Sequence, residues 1–96
     1  MNTKIQSVRF TADQKLIAFA ETKIAKLEKF YDKIISADIT MSLDKDNLHG
    51  NKVVVIVLNV PGESLVADRQ SESFEESIDL CIDALKKQID KFKNKK

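Results

Sequence analysis

The chain has no tryptophan, one cysteine (Cys81), one histidine (His49), one proline (Pro61) and two glycines in 96 residues. Each scarcity removes a class of function. A single cysteine excludes an internal disulfide and a thiolate zinc cluster, and Cys81 falls on an apolar helical stripe, where it reads as a small core residue. His49 has no second histidine or cysteine with which to share a metal. With so little glycine there is no Gly-rich phosphate loop, and no nucleophile elbow, HExxH or CxxC motif occurs either. Asp79 and Asp83 are helical neighbours, but they sit on a polar face among lysines, with no apolar pocket to raise a carboxyl pKa. The residues therefore point to no catalytic group, cofactor, metal or small-molecule substrate.

Long hydrophobic runs are also missing. Met1-Asn2-Thr3-Lys4 leads into a mixed segment without an apolar stretch of signal-peptide length, and nothing later is long enough to span a bilayer. The expectation is a soluble cytoplasmic protein that does not engage a membrane. Excess charge is missing as well: 16 basic residues against 15 acidic give a net charge of +1. Any nucleic-acid site must therefore come from segregation of charge within the fold. With 43% apolar residues in 96, the chain suits a single domain, 1–96, whose lysine-rich end is expected to fray.

What is present is a strong helical pattern from Ser73 to Lys96, with Phe74, Ile78, Cys81, Ile82, Leu85, Ile89 and Phe92 on one face. Ser73 with Glu76 forms a capping-box signature, so the helix should begin near Phe74. Its polar face is divided along the axis. Glu75, Glu76, Asp79 and Asp83 come first; Lys86, Lys87, Lys91, Lys93, Lys95 and Lys96 follow, interrupted by Asp90. That order complements a helix macrodipole, yet the run of lysines exceeds what the dipole needs and leaves a cationic tip.

A second helix is expected from a Thr11/Gln14 capping pattern to about Tyr31 or Asp32. At about 100° per residue, Leu16, Ala20, Ile24, Leu27 and Tyr31 form the core-facing stripe, while Glu21, Glu28 and Asp32 form another. Lys15, Lys26, Lys29 and Lys33 gather on a third, with Lys23 at its border with the core. Surface helices usually intersperse the two signs, so the separation reads as an electrostatic footprint. Phe19 and Phe30 lie between the lysine and apolar stripes and are read as widening the core face.

The remaining segments alternate or are β-branched. Lys4 to Phe10 reads as a short strand with Val8 and Phe10 on one face, its period broken by Ile5. Ile35 to Leu43 alternates cleanly, with Ala37, Ile39, Met41 and Leu43 inward. Asp44 to Asn51 is a polar hairpin loop; Asp44, Asp46 and Asn47 fail the spacing of a calcium loop at Leu48 and His49. Lys52 to Val60 suits a central strand, Pro61-Gly62 a type II turn, and Leu65 to Asp68 or Arg69 a short last strand. The fold class expected is α+β, in the order β-α-β-β-β-α: a four-stranded mixed sheet with two parallel helices on one face. Their C-terminal ends then lie together. Lys23, Lys26, Lys29 and Lys33 approach Lys86, Lys87, Lys91 and Lys93 as one basic surface, with Glu72, Glu75, Glu76 and Asp79 at the opposite end. Lysines suit phosphate contacts better than base reading, so folded RNA recognised by backbone shape and charge is the expected partner, with DNA not expected.

Thr22 to Ile34 and Ile78 to Lys93, taken together, resemble the short-form ribosome hibernation promoting factors, of the ribosome-associated inhibitor A and sigma-54 modulation protein family. The resemblance extends over nearly the whole chain. It implies a domain similar to a double-stranded-RNA-binding domain, seated on the small ribosomal subunit in the channel of messenger and transfer RNA, keeping the ribosome inactive under stress or in stationary phase. It also implies that the rRNA-contacting positions are Lys23, Lys26, Lys29, Lys33, Lys86, Lys87, Lys91 and Lys93. Two alternatives stand beside it: a module for other structured RNAs, and a small protein-interaction domain whose lysines serve only solubility.

Overall fold

The computed structural model describes residues 1–44 and 50–94. The hairpin loop expected around Asp46, Asn47 and His49 and the frayed end at Lys95 and Lys96 lie outside the described residues. The elements are β1 (Asn2–Val8), α1 (Gln14–Phe30), β2 (Ser36–Leu43), β3 (Lys52–Val60), β4 (Glu63–Ser71) and α2 (Phe74–Lys93). They form one sheet in the order β1-β2-β3-β4, with β1 parallel to β2 and the other pairs antiparallel. This is the expected β-α-β-β-β-α arrangement.

The register explains the core. Ile5 pairs with Ile39, Ile39 with Ile56, and Ile56 with Ala67, so one row of inward side chains crosses all four strands. Because side chains alternate along each strand, that row carries Ala37, Met41, Val54, Leu58 and Leu65 inward with it, all buried. Leu16, Ala20, Ile24 and Leu27 of α1 and Ile78, Cys81, Ile82, Leu85 and Ile89 of α2 close the other side. A buried Leu or Ile contributes about 1.5–3 kcal/mol relative to exposure, so these helical stripes supply much of the drive to fold. The opposite face of the sheet carries Val53, Val55 and Val57 of β3, partly exposed, beside Val66 of β4.

The helices lie side by side and parallel, as three contacts along them establish. Phe10, just ahead of α1, stacks on Phe74 at the start of α2, with centroids 4.6 Å apart. Midway, Lys23 meets Asp79. At the far end Tyr31 and Phe92 pack edge to face at 5.9 Å. Ser73 caps α2, accepting from the Glu76 N–H at 3.1 Å.

Local expectations needed correction in four places. The period of β1 is set by Ile5 and Ser7, which face the helices; Val8 is 37% exposed on the other face. Arg9 follows with φ of 72°, a left-handed bend that takes Phe10 out of the strand and swings it onto Phe74. The cap of α1 is Asp13 and not Thr11: its carboxylate accepts from the Leu16 N–H at 2.8 Å, so the helix starts later than the capping pattern implied. Finally β4 runs from Glu63 to Ser71, longer than its apolar centre suggested, because ladder pairing with β3 continues through polar residues. Gly62, with φ of 89°, occupies the turn position for which a positive φ is required, after Pro61.

Candidate nucleic-acid interface

Parallel helices add their dipoles: both N-termini lie at one end of the layer and both C-termini at the other. The sequence places Asp13, Glu72, Glu75 and Glu76 at the first end, and Lys29, Lys33, Lys91 and Lys93 at the second. Helix-end compensation and charge segregation thus reinforce each other, and a chain of near-zero net charge becomes a molecule with a basic pole.

The eight lysines do not all share one environment. Lys29, Lys33 and Lys93 surround a hollow of about 640 Å³ between the two helix ends. Phe30, Tyr31 and Phe92 supply its aromatic walls, and Asp32 is the acidic residue on its rim. Lys93 Nζ lies 5.0 Å from the centroid of the Phe30 ring, a cation–π contact. Phe30 is 36% exposed. The expectation that both phenylalanines widen the core face therefore holds for Phe19, which packs against the core, and not for Phe30, whose ring is exposed and borders the lysines.

Lys26 and Lys86 belong to the seam between the helices. Asp79, Lys86 and Lys93 recur every two turns along one flank of α2, the flank whose Asp79 meets Lys23 and whose Lys93 meets Phe30. Lys86, half-buried, falls between those contacts, and Lys26 occupies the corresponding stretch of α1. Lys87 is exposed on the outer face of α2, opposite its buried stripe, and Lys91 lies toward β4. Lys91 borders a second hollow, of about 490 Å³, with Glu63, Leu65, Gln88 and Phe92.

Lys23 is the exception. Its Nζ is 3.0 Å from Asp79 Oδ1 and 5.2 Å from the Phe19 ring centroid, and its side chain is only 24% exposed. This lysine ties the helices together and has little charge left to offer a ligand. Periodicity placed it at the border between the lysine and core stripes but could not show its partner on the other helix.

Cys81 is buried, with Sγ 3.4 Å from the Val54 carbonyl. Burial pushes its thiol up to about 11, with Asp68 adding to the rise and Arg69 opposing it. Among the described residues, no cluster of His, Cys, Asp and Glu is arranged to hold a metal ion, and no helix is long and apolar enough to cross a membrane. What the arrangement offers is a row of ammonium groups along a seam and around a hollow.

Comparison with known proteins bears on the family and the fold. The family model described as Sigma 54 modulation protein / S30EA ribosomal protein matches residues 3–96. The chain is 30% identical over 95 residues to the ribosome hibernation promoting factor of Azotobacter vinelandii, covering 99% of this chain and 85% of that one. A ribosomal subunit interface protein from Coxiella burnetii shares the fold with a TM-score of 0.88 at 23% identity, over 99% of this chain and 100% of the other. The N-terminal domain of Thermus thermophilus Protein Y superposes with a TM-score of 0.81 at 22% identity, over 96% and 99% of the two chains.

Proposed function

The chain belongs to the Sigma 54 modulation protein / S30EA ribosomal protein family, and from that premise we propose that it is a ribosome hibernation factor. It docks on the small ribosomal subunit, in the channel that messenger RNA and transfer RNAs would occupy, and silences translation in starvation or stationary phase. The relatives named as hibernation promoting factors support the role.

The observation that carries the reading is the parallel pairing of α1 and α2, seen in the Phe10–Phe74, Lys23–Asp79 and Tyr31–Phe92 contacts. That pairing converts two separate lysine runs into one basic pole. Lys26, Lys29, Lys33, Lys86, Lys87, Lys91 and Lys93 are the groups proposed to meet rRNA phosphates, with Lys23 serving mainly to hold the helices. Silencing by occlusion asks no chemistry of the protein: it fills space that other RNAs need, and its affinity comes from counterion release. Each phosphate contact contributes roughly 0.7–0.9 log units of affinity per log unit of salt, so binding should weaken steeply as salt rises.

Co-sedimentation of the purified protein with ribosomes and with separated subunits tests this. Wild type should pellet with the small subunit, and a Lys26→Glu/Lys87→Glu variant should stay in the supernatant. Failure of the wild type to pellet, or pelleting that ignores both salt and charge reversal, sinks the reading.

A further inference from the structure

We infer that the hollow at the paired helix ends is a nucleotide pocket, in which one unstacked base of a single-stranded RNA segment lies against Phe30 while Lys29, Lys33 and Lys93 hold the adjoining phosphates. The inference rests on the RNA-binding reading above and adds to it a single-stranded element and an aromatic platform. A surface that only tracks duplex phosphates needs neither a cavity nor an exposed ring.

Three observations converge on it. The first is size: about 640 Å³ lies within the range of roughly 300–1,000 Å³ typical of clefts that receive small ligands. A duplex keeps its bases stacked inside and can offer such a hollow only its phosphates, whereas a single strand can insert a base. The second is Phe30, which is 36% exposed where Phe19, about three turns back on the same helix, packs against the core. An aromatic ring at the surface beside lysines is the combination that single-strand-binding proteins use, with bases on the ring and ammonium groups on the backbone.

The third is Lys93, whose Nζ sits 5.0 Å over the Phe30 ring. The ammonium covers that face in the free protein, and its place over the ring shows that the face attracts a partner from the side of the lysines. A base that takes the ring displaces the ammonium, which still has three donors to turn to a phosphate. Tyr31 and Phe92, locked edge to face, make a firm wall beneath. Asp32 repels phosphate and accepts from donors, so its side of the rim suits a ribose hydroxyl or an exocyclic amino group.

Fluorescence anisotropy with a labelled single-stranded hexaribonucleotide of mixed sequence, and with an RNA duplex of the same base composition, tests the pocket in parallel with ribosome co-sedimentation. The variants are Phe30→Leu, which keeps apolar bulk without a π-face, and Phe30→Tyr, which restores the ring. Wild type should bind the single strand. Phe30→Leu should weaken it by roughly fivefold or more with the salt slope unchanged, and Phe30→Tyr should recover it. Duplex affinity should not distinguish the three proteins. Equal affinity of Phe30→Leu and wild type for the single strand overturns the inference, as does absence of single-strand binding up to millimolar protein. If wild type still pellets with ribosomes in either case, the hibernation reading stands and only the pocket falls; if wild type does not pellet, that reading fails on its own evidence.

Discussion

Lys23 and Asp79 join the two helices through a contact of 3.0 Å, with the lysine side chain 24% and the aspartate 49% exposed. The pair neutralises one of the eight lysines that the family resemblance implies would contact rRNA. Lys23→Gln should therefore weaken ribosome association much less than Lys26→Gln, and Asp79→Asn, which releases the ammonium, should steepen the salt dependence by up to about one phosphate contact, roughly 0.7–0.9 in log–log slope. The stability cost of either change should be small, about 0–1 kcal/mol for a partly exposed pair. Sedimentation over a salt series measures both effects. A Lys23→Gln protein as impaired as Lys26→Gln would show that the pair opens on binding.

Arg9 holds φ at 72°, in the left-handed region that costs an ordinary L-residue about 1–2 kcal/mol. Its guanidinium reaches the Leu43 carbonyl only at 3.5 Å, which offsets little of that cost. Asparagine tolerates this conformation better and retains more chain stiffness than glycine. Arg9→Asn is expected to raise stability by about 0.5–1 kcal/mol, read as an upward shift of the urea midpoint with an unchanged slope. A lowered midpoint would mean that the arginine side chain contributes more through its packing than the backbone loses.

How much of this was legible in the sequence depended on whether a signal was local. Lys52 to Val60 coincided with β3 because its β-branched run has no helical competitor, and Phe74 was placed as the first residue of α2 because Ser73 and Glu76 mark the cap directly. The start of the chain was harder. Phe10 looks like a strand residue until Arg9 bends the backbone, and nothing in the spelling of Val8-Arg9-Phe10 announces a positive φ. Thr11 and Asp13 both have capping chemistry; the stacking of Phe10 on Phe74 fixes the entry to α1 so that Asp13 reaches the first N–H groups. The lysine stripes were visible one helix at a time, whereas the Lys23–Asp79 pair and the Lys93–Phe30 contact exist only between helices.

Cys81 links burial to pH. Its thiol is raised from 9.0 to about 11, chiefly because burial disfavours the thiolate. A folded pKa above the unfolded one means that the unfolded chain loses its proton first. The thiol's contribution is fully present below about pH 9 and fades as pH rises toward 11, by at most about 2–3 kcal/mol. Urea unfolding of wild type and Cys81→Ala at several pH values should show wild type losing its advantage over that interval. Thiol-reactive reagents at pH 8 should label the native protein far more slowly than the urea-unfolded chain. Equal labelling rates would show that the helix layer opens readily over β3 and β4.

At the acidic end, α2 is tied to the sheet by hydroxyls. Ser77 Oγ is 2.7 Å from the Lys52 carbonyl, Ser71 Oγ is 2.8 Å from the Ser73 carbonyl, and the two hydroxyls are 2.7 Å apart. Two protons serve three short contacts, so one contact always lacks its proton and the other two carry the tie. Ser77 is fully buried, and removing its hydroxyl leaves the Lys52 carbonyl without this donor and Ser71 without this neighbour. Ser77→Ala should cost about 1–2 kcal/mol in urea unfolding. Since the lysines lie at the other end of the helices, the same variant should still co-sediment with ribosomes at temperatures where it is folded. Ser71→Ala should cost less, because Ser77 then keeps its own bond to the Lys52 carbonyl and loses the competing contact. A Ser71→Ala protein less stable than Ser77→Ala would instead place the main bond of the cluster at the Ser73 carbonyl, making the connection between β4 and α2 the anchor in place of the contact between α2 and β3.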